Sequence, residues 1–231
     1  MRVVVISPHL DDAILSLAAA IHCATQRGAT VEVLTVFAGD TTSQRRAGRW
    51  DRACGFAVAG EAAAARRRED QNACELVGAR ASHLRFGDEQ YGRGARPSEI
   101  VRAIREAVTD ADLVLLPGFP LRHRDHRWLA RTLAGVDLGA ATTGLYVEQP
   151  YAYLATEALR EEGWRALVVA AASTRAKHAA CQAYRSQLPV LPRGMLASIE
   201  DYEIRHGGEM IRYAGGCTDS FALALASAWP A

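Results

Sequence analysis

Lysine is almost absent from this chain. Of 27 basic residues only Lys177 is a lysine, and the others are arginine. Such a skew is what a GC-rich coding sequence would give. Neither sign of charge dominates: 26 acidic residues leave a formal net charge of +1. Global electrostatic attraction to nucleic acid or to an anionic membrane is therefore not expected. Five scattered cysteines (Cys23, Cys54, Cys74, Cys181 and Cys217) include no Cys-x-x-Cys pair. They do not make a disulfide scaffold, and reduced thiols in a cytoplasmic setting are expected. No apolar run approaches the ~20 residues a membrane helix requires. The chain enters a strand-like run at once, Arg2-Val3-Val4-Val5-Ile6, without the basic and long apolar regions of a secretory signal.

Several catalytic signatures are missing as well. The turn Ser7-Pro8-His9-Leu10-Asp11 lacks the glycines that let a backbone approach pyrophosphate, and its carboxylates would repel phosphate. No Gly-x-Ser-x-Gly nucleophile elbow occurs. His123-Arg124-Asp125 spells a kinase catalytic triplet, but neither an Asp-Phe-Gly nor a Gly-rich phosphate loop accompanies it.

What is present describes a folded α/β chain. Hydrophobic residues make up 49% and charged residues 23% of 231, which excludes intrinsic disorder. Val3–Ile6 reads as a strand buried on both faces. A helical pattern runs from Asp12 to Arg27 and stops at Gly28. Further strands are expected at Thr30–Phe37, Ser82–Phe86, Asp112–Leu116, Thr143–Val147, Ala166–Ala170 and Phe221–Leu225. The fourth, Asp112–Leu116, is expected to stop at Pro117-Gly118. Helices are expected at Glu61–Val77, from Pro97 to about Thr109, from about His126 to Leu133 and from about Thr174 to Tyr184. Alternating strands and helices give a single domain over residues 1–231, with a mostly parallel sheet covered by helices on both faces. Ligands bind such sheets outside the carboxyl ends of the strands. The loops after the first and fourth strands are therefore the places to look.

Those loops carry Ser7-Pro8-His9-Leu10-Asp11-Asp12 and Leu121-Arg122-His123-Arg124-Asp125-His126. His9, Asp12 and His126 would form a His₂-carboxylate set, which suits zinc with one position open to water. Iron(II) fits the same donors. Asp11, adjacent to a ligand, would act as general base on that water. His123 lies one helical turn before His126 and would face the same cavity, held cationic by Asp125, to stabilise an oxyanion. Taken alone, Asp11-Asp12 reads as a helix N-cap and His123 and His126 as a solvated loop. The conjunction at two strand ends favours a metal site.

The same segments resemble the His-Pro-Asp-Asp and His-Pro-Asp-His signatures of the PIG-L/LmbE-like zinc-dependent de-N-acetylases. Leu10 and Arg124 replace the two prolines, and every polar position is intact. Weaker likenesses follow. Arg66 and Glu69 match an Arg-x-x-Glu-x-x-x-Ala helix, and Arg85-Phe86-Gly87-Asp88 matches a segment that supplies an aspartate to the sugar pocket. Lys177-x-x-Ala180-x-x-x-Tyr184-x-Ser186-Gln187 matches a helix in which histidine stands where Tyr184 is. The resemblance implies a Rossmann-like three-layer sandwich. It implies hydrolysis of an N-acetyl group from an N-acetylglucosamine-type sugar conjugate, with Arg66 and Asp88 on sugar hydroxyls. Tyr146, Glu148 and Tyr151 are candidates for a substrate rim, and Tyr202 and Glu203 for a cover over the pocket. The partner expected is a small sugar conjugate, not nucleic acid or a membrane; a homo-oligomer is compatible with the sequence. Two alternatives stay open: cleavage of another acyl or ester group at the same metal, and a non-catalytic sugar-binding module.

Overall fold

A computed structural model of the chain describes residues 1–155, 159 and 163–213. Element order is β1 (Arg2–Ser7), α1 (Asp12–Gln26), β2 (Thr30–Thr35), α2 (Arg49–Ala53), α3 (Ala59–Leu76), β3 (Arg80–His83) and α4 (Pro97–Val108). Then come β4 (Leu113–Phe119), α5 (Arg124–Leu133), β5 (Thr142–Val147), β6 (Arg165–Leu167), α6 (Ala171–Cys181), α7 (Met195–His206) and β7 (Glu209–Tyr213). The seven strands form one sheet in the order β3-β2-β1-β4-β5-β7-β6. The first five are parallel, and β7 runs antiparallel to both β5 and β6.

Strand pleating explains the three layers. Val3, Val5, Val31, Val33, Leu113 and Leu115 point to one face and pack with α1, α6 and α7. Val4, Ile6, Leu34 and Val114 point to the other and pack with α4 and α5. Each continuous β-branched run thus feeds two cores, as expected of strands buried on both sides. Helix α4 shows the same logic at helical spacing: Ile100, Ile104 and Val108 are fully buried. Burying each contributes roughly 1.5–3 kcal/mol. Pro97 opens this helix, where its missing N–H would have no intrahelical partner.

The chain leaves β1 toward β2 and returns to the sheet on the opposite side as β4. The C-terminal ends of β1 and β4 therefore flank a topological switch point, where open α/β sheets leave a crevice. No helix among the described residues is long and apolar enough to cross a membrane.

Four expectations are corrected. Strand β4 runs on through Pro117 and Gly118 to Phe119. β1 pairs with it only at Leu113–Leu115, so Pro117 has a ladder partner on one side alone and its missing N–H is tolerated. β3 ends at His83, and the chain turns so that Leu84 and Phe86 join the α4-side core. Helix α6 is Ala171–Cys181, leaving Tyr184 beyond its end. Helix α7 and strand β7 were not anticipated; charged Glu209 and Arg212 interrupt the apolar pattern of β7. The strand expected at Phe221–Leu225 lies outside the described residues.

Candidate metal centre

The loop after β1 is tightly wound. Ser7 Oγ donates to the His9 carbonyl at 2.6 Å and accepts from Ala13 N–H at 3.0 Å, which caps α1. Asp11 occupies the N-cap position but makes no capping hydrogen bond. Its carboxylate is left to line the crevice with His9, Asp12, Arg66, Asp88, His123 and Tyr151, around a cavity of about 530 Å³. The cap reading of Asp11 does not describe this geometry.

His9, Asp12 and His126 converge. Asp12 Oδ2 lies 3.2 Å from His9 Nδ1 and 3.0 Å from His126 Nε2, and those two nitrogens are 3.1 Å apart. Donors bound tetrahedrally at 2.0–2.1 Å stand roughly 3.3 Å from one another. The triangle therefore fits an ion of that kind with small adjustments. Each imidazole has a carboxylate behind it. Asp125 Oδ2 lies 3.1 Å from His9 Nε2, and Glu148 Oε1 lies 2.5 Å from His126 Nδ1. Such partners fix ring orientation and tautomer in metal sites. Ring nitrogens of His9, His123 and His126 also fall within 4.8 Å of one another. His123 thus stands beside the triangle.

The charge balance favours a cation. Burial by itself opposes charge on His9, yet its hydrogen bonds to Asp12 and Asp125 carry its pKa up to about 9. Burial likewise opposes charge on His126, and Asp12 and Glu148 raise it well above the ordinary value. Asp11 behaves in the opposite sense. Burial, then the Asp12 charge, push it up to about 7, near the range suited to proton transfer at neutral pH.

Asp125 does not hold His123 as anticipated. Its carboxylate is 3.9 Å from His123 Nδ1 and is occupied by His9, the Glu89 N–H and Arg93. The Asp125 backbone N–H does orient the ring, donating to His123 Nδ1 at 3.2 Å. Burial and the neighbouring His9 and His126 lower the His123 pKa to about 4. His123 is therefore neutral, not cationic. With Nδ1 accepting, the proton sits on Nε2, which remains a donor.

Arg66 lies at the back of the crevice, with Nη1 on Asp51 at 3.0 Å and Nη2 on Gln187 at 2.9 Å; its buried Nε has no partner. Asp88 accepts from the Gln90 backbone and side chain. Both border this crevice and an adjoining cavity of about 470 Å³. Tyr151 faces His126 edge-on. Tyr146 does not reach the rim: it is fully buried and donates to the Ile6 carbonyl at 3.0 Å. Glu203 and Tyr202 lie away from the crevice. Glu203 pairs with buried Lys177, and Tyr202 stacks on His206. Trp50, carried in by the short α2, lines the crevice without any signal in the sequence.

The two weaker motifs meet each other. Glu69 accepts from Ser186 N–H and Oγ–H, Asp70 accepts from Tyr184 O–H at 2.7 Å, and Arg66 donates to Gln187. Asp70 also contacts His83 Nε2 at 2.8 Å. Tyr184 therefore fastens the chain after α6 to α3. Tyr184→Phe is expected to lower stability by about 1.5–3 kcal/mol, the range for a hydrogen bond to a charged group. Urea denaturation of parent and variant measures it.

Fold and site together define a Rossmann-like domain with a His₂-carboxylate centre at its switch point. The chain belongs to the PIG-L family: the model described as GlcNAc-PI de-N-acetylase matches residues 4–135. Among solved structures it is similar to the A40926 pseudoaglycone deacetylase Dbv21, with 29% identity, TM-score 0.71, and coverage of 92% of this chain and 96% of that one. A deacetylase of teicoplanin biosynthesis has 24% identity, TM-score 0.73, and coverage of 94% and 100%. The N,N'-diacetylchitobiose deacetylase of Pyrococcus horikoshii has 18% identity, TM-score 0.61, and coverage of 93% and 84%; the last two likenesses bear on the fold alone. No curated protein matches the chain.

Proposed function

We propose that this protein is a metal-dependent N-deacetylase acting on an amino-sugar conjugate of the N-acetylglucosamine type. The observation that carries the reading is the donor triangle of His9, Asp12 and His126 beside an Asp11 carboxylate that accepts no hydrogen bond from the described residues. Family membership and the deacetylase neighbours support the reaction class. Zinc suits the donor set, and iron(II) is accommodated by it. The reading takes residues 1–231 as one domain, supported by a sheet that draws strands from both sides of position 135. A cytoplasmic location agrees with the free thiols of Cys23, Cys54, Cys74 and Cys181.

The ion, when bound, supplies Lewis acidity at the acyl oxygen and lowers the pKa of water. The chain's residues do the rest. Asp11 takes a proton from the attacking water as the acyl carbon becomes tetrahedral. His123 donates from Nε2 to the oxygen on which negative charge develops. Asp11 then returns its proton to the amine nitrogen as the C–N bond breaks; the neutral amine leaves with acetic acid, which gives up its remaining proton to solvent as acetate. Asp125 and Glu148 keep the His9 and His126 rings in place. Arg66 and Asp88 are the proposed sugar contacts, Arg66 through its unpartnered Nε.

Zinc-loaded protein incubated with N-acetylglucosamine conjugates is expected to release acetate and to generate one primary amine per turnover. Mass spectrometry of the products checks this. Cleavage of only esters or longer acyl groups across such a panel would overturn the N-acetyl assignment.

A further inference from the structure

Asp11 adopts φ +152°, a conformation that an L-residue takes only under constraint. Such a residue costs on the order of 1–3 kcal/mol and persists where its surroundings over-determine it. The torsion φ of Asp11 is measured from the peptide plane shared with Leu10. Whatever grips the Leu10 carbonyl therefore grips that torsion.

The grip comes from far along the chain. Gln187 Nε2 donates to the Leu10 carbonyl at 2.8 Å. Its Oε1 accepts from Arg66 Nη2 at 2.9 Å, and Arg66 is anchored in turn on Asp51. Gln187 is 1% exposed. Its own backbone is fixed by the Tyr184 carbonyl at 3.1 Å, and the residues before it are tied to Glu69 and Asp70. The amide has no freedom to swing. Only a side chain offering one donor and one acceptor together serves both partners, which is the chemistry of glutamine. Gln187 lies outside the segment matched by the family model.

We infer that Gln187 is a positioning residue for Asp11: by holding the Leu10 peptide it keeps the Asp11 carboxylate aimed into the crevice, without itself bonding that carboxylate. The inference rests on the reading of Asp11 as the base.

Gln187→Glu separates the two contacts. A carboxylate keeps the acceptor for Arg66 and loses the donor to Leu10, placing oxygen against oxygen. Gln187→Met, of similar length, loses both. In zinc-loaded protein both variants are expected to lower kcat by about 10²-fold, the scale of an ångström-sized misplacement of a catalytic group. In Gln187→Glu, which keeps the Arg66 contact, KM and metal content per chain are expected to stay at parental values, a split that a loss of folding or of ground-state binding does not produce. A crystal structure of Gln187→Glu is expected to show the Leu10–Asp11 peptide rotated and φ of Asp11 moved away from its parental value. Parental kcat in Gln187→Glu overturns the inference, because the Arg66 contact alone then suffices. Where Gln187→Glu fails to fold, parental kcat in Gln187→Met overturns it equally. An unmoved Leu10–Asp11 peptide overturns it whatever the parent hydrolyses. A parent that removes no acetyl group overturns the functional reading instead, and the position of the peptide still decides the role of Gln187.

Discussion

Asp11→Asn is expected to leave the protein folded and metal-bound but to lower deacetylation by roughly 10²–10⁴-fold, the usual contribution of a positioned general base. Two features make the substitution clean. Asparagine has the shape of aspartate, so the substitution places no new bulk in the strained turn. The Asp11 oxygens are not among the converging donors of His9, Asp12 and His126, so metal content is expected to stay at the parental value. The variant is also expected to be the more stable protein. An acid whose folded pKa is raised from 3.8 to about 7 makes folding less favourable as pH climbs between those values. At pH 8 that penalty is fully present in the parent and absent in the asparagine variant. The ion-free variant should therefore melt several degrees higher than the ion-free parent at pH 8, and close to it at pH 4. Acetate release, metal analysis and thermal melts of the same samples test the three statements together. Full activity in Asp11→Asn would remove Asp11 from the mechanism.

The donor triangle of His9, Asp12 and His126 was legible in the sequence because topology does the long-range work. Alternating strands and helices place the C-terminal ends of β1 and β4 side by side, and both ends carry His and Asp. No contact between residues 9 and 126 had to be known in advance. What stayed hidden depends on register between distant segments. The short motif His123-Arg124-Asp125-His126 suggests that Asp125 serves its near neighbour His123. The fold turns that carboxylate onto His9 instead, 116 positions away, and leaves His123 to a backbone N–H. Glu148 reads as a rim residue beside Tyr146 and Tyr151. Pleating of β5 and the turn after it take Tyr146 into the core and Glu148 onto His126. Arg66 reads as a substrate contact, while the Glu69 and Gln187 matches carry no role of their own in the sequence. In the structure Arg66 binds Gln187 and Glu69 binds Ser186, tying α3 to the chain after α6 and, through it, to the strained loop of Asp11. The edge of the sheet was missed for a related reason. Glu209 breaks the apolar pattern of β7, yet it is buried because Lys177 and the N–H groups of Ala19 and Ala20 satisfy it. A charge whose partner lies on another element reads as surface until that element is placed.

The second large effect concerns protons and the ion. In ion-free protein the carboxylates of Asp12, Asp125 and Glu148 face His9 and His126, and protons on the imidazoles supply the balancing positive charge. Burial acts against those protons, but the carboxylates prevail and hold His9 at about 9 against an ordinary 6.5. A base raised in this way stabilises the fold fully below pH 6.5, and the contribution is lost as pH rises through 9. Ion-free protein is therefore expected to melt lower at pH 9.5 than at pH 6.5. A divalent ion takes the imidazoles neutral, so its binding must expel the protons, and affinity should rise by up to about tenfold per pH unit for each proton displaced. The difference in melting temperature between loaded and chelator-stripped protein should accordingly widen from pH 6.5 to 9. Stripping should also abolish hydrolysis, and zinc or iron(II) should restore it. Titration calorimetry in two buffers of different ionisation enthalpy counts the protons directly, with more than one expected per ion at pH 7. Binding without proton release would mean that the ion does not sit between His9 and His126, and the donor set would have to be sought elsewhere in the crevice.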